Sequence, residues 1–304
     1  MSSSPAIEIQ QVTKTFGSQV AVNRLDLQVP SGSIYGFIGP NGSGKTTTLR
    51  MILRIYQPDE GRVTVLGQSS GKTADDRVGY LPEERGLYKR MKVNDLLTYY
   101  ARLKGCYNCQ GKIDRWLERL GAKDWAKKRI DALSKGMAQK VQFIASVVAE
   151  PQLLILDEPF SGLDPVNMEM LKDAILEVQK QGTTIIFSTH DMDTAERMCD
   201  TVFMIFKGNK VLDGSVDQIK NQFAKRQFEV RFDQPLQLQG RPEFTNVTQQ
   251  GELLQFQLAS LPNASHSLDS ASQVLAYLQT LGSVNHFRSQ RPTLHDIFVQ
   301  IASA

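Results

Sequence analysis

The run Gly39, Pro40, Asn41, Gly42, Ser43, Gly44, Lys45, Thr46, Thr47 satisfies the pattern G-x-x-x-x-G-K-[ST] at every fixed place. Its residue types imply a chemistry. Glycines let backbone N–H groups turn inward around phosphate oxygens, and a helix beginning at the end of the run adds the positive end of its dipole to the same cradle. Lys45 supplies a point charge to the outer phosphates, and the Thr46 hydroxyl is suited to a Mg²⁺ ion. The joint match points to nucleotide binding rather than to a structural turn.

Other segments carry reactive side chains. The apolar run LLIL ends in the carboxylates Asp157 and Glu158 followed by Pro159, and TTIIFST ends at His190. Taken alone, the carboxylates could cap a helix and the histidine could be packing. The LSKGM segment, Leu133 to Met137, opens a helix, so Ser134 and the N–H of Gly136 could bind an anion with the helix dipole behind them. Phe16 precedes the Gly17 turn, where its ring could pack on the core or stack on a base. Cys106 and Cys109 form a lone C-x-x-C with no second ligand pair and no helix start beside a sheet, and read as a surface loop with two thiols. His266, His286 and His295 lack metal spacing.

Elements must position these groups. Ser33 to Ile38 reads as a buried strand before the glycine run, and Thr47 to Ile55 as a helix after it. Ile7 to Val12 and Val22 to Val29 alternate like an antiparallel hairpin with one buried face. The strands RVTVLG and VGYL follow. Apolar residues then recur at helical spacing between Gly86 and Gly121, and Ile130 to Glu150 reads as a capped helix stopped by Pro151. LLILDEP resembles a parallel strand covered on both faces, whose carboxyl end opens into the ligand crevice of an α/β sheet. A helix over Pro165 to Gln181 closed by Gly182, the strand TTIIFST, a helix through Thr194 to Met198 and the strand TVFMIF continue the α/β alternation to Asp213. Beyond Lys220 the composition shifts. FEVRF, FTNV, LLQFQLA, a helix over Leu268 to Leu281, a strand over Val284 to Phe287 and a helix from Thr293 predict a small α+β domain, joined near Asn221 to Arg226. The expected domains are 1–220, with a helical region over about 87–150, and 221–304.

The 304 residues exceed one typical domain, and 35 basic against 32 acidic residues leave no charge block suited to a nucleic-acid groove. Three cysteines and the absence of an apolar leader in MSSSPAIEIQ predict a reducing compartment. The apolar runs are shorter than the ~18–20 residues that cross a bilayer.

In order and spacing, GPNGSGKT, LSKGM, LLILDEP, SGLD at Ser161 to Asp164, and the strand-closing His190 resemble an ATP-binding cassette ATPase, the nucleotide-binding component of an ABC transporter. The resemblance covers roughly residues 6 to 215. GYLPEERGLY, LSKGM and the tail LHDIFVQI are similar to the drug- and sodium-efflux subfamily with an appended C-terminal domain. The implied fold is an α/β P-loop NTPase, a RecA-type core with an antiparallel β subdomain and an inserted helical subdomain. The resemblance further implies that Phe16 stacks on adenine, Asp157 holds Mg²⁺ through water, Glu158 is the general base, and His190 contacts the γ-phosphate. Ser134 and Gly136 would face the nucleotide of a second subunit, so that a head-to-tail dimer buries two ATP molecules.

Two departures from the family pattern stand out. Lys135 and Met137 replace the commoner Gly and Gln, and Lys135 either adds charge toward the γ-phosphate or lies in solvent. Glu83 stands where the family usually has a glutamine. When ionised it cannot donate a hydrogen bond, and it would repel the triphosphate unless Mg²⁺ or a base such as Arg85 intervened, which makes it a third candidate at the metal beside Thr46 and Asp157. The implied partners are ATP, a second cassette (a homodimer is expected) and an integral membrane permease received on the helical region. Nucleic acid is not expected. The implied task is export, from the cytoplasmic face of the membrane. The rival reading, a soluble cassette ATPase acting on nucleic acid or ribosomes, usually involves two cassettes or a long coiled coil, and this sequence has neither a second cassette nor a heptad run. A P-loop GTPase or kinase would lack LSKGM, and the guanine-reading N-K-x-D is missing.

Overall fold

The computed structural model describes residues 4–69, 75–84, 86–223, 227–258 and 270–303. They form two compact units that divide after Val216, four residues before the boundary expected at Lys220. Of the linker expected over Asn221 to Arg226, residues 221 and 222 are helical and 224–226 lie outside the described residues.

In the first unit β1 (Ile7–Phe16) and β2 (Gln19–Val29) form a hairpin around Gly17, followed by β3 (Ile34–Ile38), α1 (Lys45–Ile52) and β4 (Glu60–Val65). The hairpin arms run beyond the alternating segments because cross-strand pairing continues to Phe16↔Gln19. With β4 they make a three-stranded antiparallel sheet, burying Ile7, Ile9, Val12, Leu25, Leu27 and Val65 in one core with Phe37 and Phe203.

The remaining strands are β5 (Val78–Leu81), β6 (Leu153–Asp157), β7 (Thr184–Thr189), β8 (Thr201–Phe206) and β9 (Asn209–Ser215), in the order β5-β6-β7-β3-β8-β9. All neighbours are parallel except β8 and β9. Every residue of β3, β6 and β7 is buried, as continuous apolar strands between covered faces must be. Because β7 lies between β6 and β3, with Asp157 opposite Ser188 and Ile38 opposite Thr189, the three carboxyl ends meet. The expected site residues Gly39, Glu158 and His190 directly follow those ends.

The helical region contains α2 (Val93–Leu103), α3 (Gln110–Arg119) and α4 (Lys135–Val147). Their apolar stripes interlock, with the rings of Trp116 and Phe143 5.8 Å apart. The continuous helix expected from Ile130 is not formed. Ile130–Ala132 make a 3-10 turn, Leu133 is extended, and α4 begins after Ser134, whose hydroxyl accepts the Met137 N–H at 3.3 Å. Serine satisfies an orphan donor at a helix start better than it serves inside a helix, which fixes the boundary there. The surface-loop reading of the cysteines also needs correction: Cys109 is 3% exposed, at the start of α3, whereas Cys106 is only partly covered. Helices α5 (Pro165–Lys180) and α6 (Met192–Met198) complete the α/β alternation.

In the second unit, which α7 (Val216–Gln222) leads into, β10 (Gln227–Phe232), β11 (Phe244–Gln250), β12 (Leu253–Leu258) and β13 (Val284–Gln290) form an antiparallel sheet in the order β11-β12-β10-β13. Phe228, Val230, Phe256, Val274 and Leu278 join α8 (Ala271–Leu281) to one face of that sheet. The start of α8 is fixed by a capping box between Ser270 and Gln273. Helix α9 (Leu294–Ala302) starts at a second box, between Thr293 and Asp296. No helix of the described residues is long and apolar enough to cross a membrane.

Strand β5 approaches α4 so closely that a Cβ on Gly79 would collide with the Ser146 carbonyl oxygen. Gly79→Ala is therefore expected to destabilise the chain by about 1–3 kcal/mol, the usual cost of overpacking, and to lower the midpoint of urea unfolding. An unchanged midpoint would contradict this approach.

Candidate functional site

The glycine run forms the turn between β3 and α1. Gly42 and Gly44 have φ of +75° and +113°, which side-chain-bearing residues rarely adopt. A Cβ on Gly44 would lie 2.5 Å from the Ala21 carbonyl oxygen, one on Gly39 would meet that of Ile205, and Gly42 faces open space. The loop is thus pressed against β2 and β8 at two points and open at a third. Phe16, Gln19 and Ala21 line a cavity of about 270 Å³ with Asn41, Gly42, Gly44, Lys45, Thr46 and Thr47.

Lys45 is 6% exposed and donates to the carbonyls of Gly39 at 2.6 Å and Pro40 at 3.1 Å. Burial pushes its ammonium pKa down, against the opposing fields of Glu158, Asp157 and Glu83. The Ser43 hydroxyl is buried with no hydrogen-bond partner. A buried ammonium resting on carbonyl oxygens and a hydroxyl with no partner fit a phosphate group, which offers acceptors to both.

Asp157 ends β6 at 2% exposure, and burial pushes its carboxyl pKa up, with the charges of Glu83 and Glu158 adding to the shift. Glu158 follows in the left-handed region at φ +50°. Its carboxylate accepts from the Thr189 hydroxyl at 3.1 Å and the His190 N–H at 2.8 Å, and lies 2.6 Å from His190 Nδ1. An ionised Glu158 requires the proton on Nδ1, which leaves Nε2 directed away from the carboxylate on a side chain 59% exposed. Among the described residues no group of three or more His, Cys, Asp or Glu could by itself cage a metal. A cation here would need phosphate and water oxygens alongside Thr46 and Asp157, the mode magnesium favours.

Phe16 is 45% exposed, stands edge-on to Tyr56 at 5.3 Å and lies beneath the Lys14 ammonium. Asp59 sets its position, since its carboxylate takes the Lys14 ammonium and both the N–H and the hydroxyl of Thr15, each at 2.7 Å, and these bonds hold its pKa down at about 2. Glu83 is exposed, and its field acts on both Lys45 and Asp157. Arg85, its suggested counter-charge, lies outside the described residues.

Ser134 and Gly136 are not part of this constellation. They open α4, with Ser134 and Lys135 exposed and Gly136 facing Leu163 of the SGLD turn, and neither lines the cavity beside the glycine run. Thr189, which holds Glu158, and Asp59, which places Phe16, escaped the sequence reading. The polar triplet Ser188-Thr189-His190 at a buried strand's end was the available signal for the first, and nothing local marked the second.

The raised pKa of Asp157 has a consequence for stability. Its carboxyl prefers the protonated form in the folded chain, so ionisation costs stability as pH rises from the unfolded value through the raised folded one, and the cost is full above both. Asp157→Asn should raise Tm at pH 7 by roughly 2–4 °C for each kcal/mol relieved, and the gain should vanish as pH falls toward the ordinary aspartate range. A gain that persisted at low pH would contradict the burial account.

The family model for ABC transporters matches residues 22–161, and that for the C-terminal domain of DrrA1-3-like ATP-binding proteins matches residues 214–302. The ABC transporter ATP-binding protein YhaQ of Bacillus subtilis (strain 168) is 40% identical over 301 residues, 98% of this chain and 99% of its own. The daunorubicin resistance ATP-binding protein DrrA3 of Streptomyces coeruleorubidus is 28% identical over 97% of this chain and 95% of its own. A solved ATP-binding subunit of an ABC transporter superposes with a TM-score of 0.66 at 29% identity, over 72% of this chain and 93% of that one. The chain belongs to the ABC transporter ATP-binding proteins, a family of ATPases with the P-loop NTPase fold.

Proposed function

We propose that two copies of this chain bind two ATP–Mg²⁺ head to tail, hydrolyse them, and drive a separate membrane permease from its cytoplasmic face, in the direction of export. The observation that carries this reading is the division of the site residues. The phosphate cradle, Asp157, Glu158 and His190 meet at one end of the central sheet, while an exposed Ser134 and a partly covered Gly136 stand at another helix start. One chain thus holds most of one site and the missing piece of another.

In this reading Phe16 stacks on adenine, Lys45 leaves the Gly39 and Pro40 carbonyls for the β- and γ-phosphates, and Ser43 gains its acceptor. Thr46 and, through water, Asp157 would hold Mg²⁺, with Glu83 a third candidate at the metal. Bound there, the ion would supply neutralisation of charge that develops on the phosphates. Glu158 removes the proton from the water that attacks the γ-phosphorus, and the broken bond leaves its electron pair on the β-phosphate oxygen of ADP. His190 holds Glu158 through Nδ1, so Nε2 can donate to the γ-phosphate only as the imidazolium.

Three observations support the permease assignment. Tyr88, Tyr99 and Leu103 are exposed on the helical region, a neighbouring groove of about 240 Å³ is lined by Ile52, Val78, Tyr80 and Tyr100, and Tyr88, Tyr99 and Tyr100 form one aromatic cluster. The direction of export is supported by the relative named for daunorubicin resistance and by the Nod factor export ATP-binding protein I of Rhizobium sp. (strain N33), 35% identical over 69% of this chain and 71% of its own. The unit from Asp217 onward is its appended accessory domain.

Glu158→Gln is expected to bind ATP and to hydrolyse it at least ~10²-fold more slowly. Light scattering on this variant should find a dimer with ATP and a monomer with ADP. Mixing Ser134→Arg with Glu158→Gln chains should restore activity above either alone, since one composite site then escapes both lesions. Strictly additive loss, or a monomer in every nucleotide, would overturn the shared site.

A further inference from the structure

Helix α4 does more than present Ser134. Two buried amides, Gln139 and Gln142, lie three residues apart and therefore on one face of it. Gln139 is 1% exposed, and its Nε2 donates to the Pro159 carbonyl at 2.9 Å. Gln142 Nε2 donates to the carbonyls of Pro82 at 3.1 Å and Glu84 at 3.4 Å. All three acceptors are carbonyls, which cannot donate, so the amide nitrogens must point at them. One helix face therefore grips the backbone beside two of the site's acidic residues, Glu158 and Glu83.

The grip beside Glu158 matters because that residue's backbone is in an unfavourable conformation. A glutamate at φ +50° persists only when its surroundings hold it there. On one side the Glu158 N–H donates to the Ser188 carbonyl at 2.9 Å, which ties it to β7. On the other, the carbonyl of the following residue, buried Pro159, is tied to α4 by Gln139. Lys140 ties the same helix to the end of α3 and to α5, its ammonium reaching the Leu120 carbonyl at 3.0 Å and the Met170 sulfur at 3.2 Å. A shift of α4 is thus passed to the backbone of the residue that follows Glu158.

We propose that Gln139 is a positioning residue for Glu158, and that through it the helix whose first turn carries Ser134 sets the alignment of the general base in its own chain. Engagement of Ser134 at one nucleotide and readiness of Glu158 at the other become linked within a single polypeptide. The inference rests on Glu158 being the general base.

The test uses the full chain with Gln139→Met, which keeps length and removes the donor, alongside Gln142→Met as the same change one turn along and Glu158→Gln as the reference. Gln139→Met is expected to lower kcat about tenfold with KM and nucleotide Kd within twofold of wild type, and to lower kcat more than Gln142→Met at a comparable change in Tm. Gln139→Glu can donate only when protonated. Its kcat relative to wild type should match Gln139→Met at pH 8 and recover several-fold at pH 6. Three results would overturn the inference: a kcat within twofold of wild type in Gln139→Met, equal kcat losses in the two methionine variants, or a Gln139→Glu ratio independent of pH. Full activity in Glu158→Gln would instead remove the general base, and with it the reading on which the inference rests.

Discussion

The rest of the structure depends on the close contact of the phosphate loop with backbone on both sides. Gly44 lies against the Ala21 carbonyl of β2, Gly39 against the Ile205 carbonyl of β8, and the Gly208 N–H reaches the Ser43 carbonyl at 2.9 Å. No side chain fits at either glycine, so the loop has one conformation, held by strands from two different sheets. That rigidity lets Lys45 be buried on loop carbonyls and leaves only Gly42 open toward the cavity.

Once the loop is fixed, strand order does the remaining positioning. With β7 between β3 and β6, Asp157, Glu158 and His190 emerge at the end of the sheet where the phosphate loop begins, and the fields of Asp157 and Glu158 act on Lys45. Burial weakens the charged forms of both Lys45 and Asp157, and the field between them offsets part of that cost. The end of the central sheet thus carries a destabilising carboxylate and, beside it, a glutamate in left-handed backbone; the proposed mechanism accounts for both by placing them where phosphate charge would develop. Stability lost at the site is recovered in cores such as that of β1, β2 and β4 against Phe37 and Phe203.

Much of this was legible in the chain. The glycine pattern, the uninterrupted LLIL and TIIF runs, and the Gly182 and Pro151 stops describe local chemistry that tertiary contacts do not override. The misjudged points each involved competition. Apolar spacing suggested a helix from Ile130, but the Ser134 cap ended that possibility, and helical spacing in α3 buried Cys109 in a segment that looked like a polar loop. Contacts far apart in sequence, such as Asp59 on Thr15 or Gln139 on Pro159, leave no periodic trace. Composition marked the second unit but could not locate its boundary, because α7 runs through the division without a break.

The central claim is that a single chain carries complementary parts of two nucleotide sites and completes neither alone. The most direct measurement is the specific ATPase activity of the full chain across a dilution series in saturating ATP–Mg²⁺, detergent-free and without permease. The account predicts that activity per chain falls in proportion to concentration at the dilute end, as a second-order association requires. Constant activity per chain, at concentrations where light scattering finds only monomer, would contradict it.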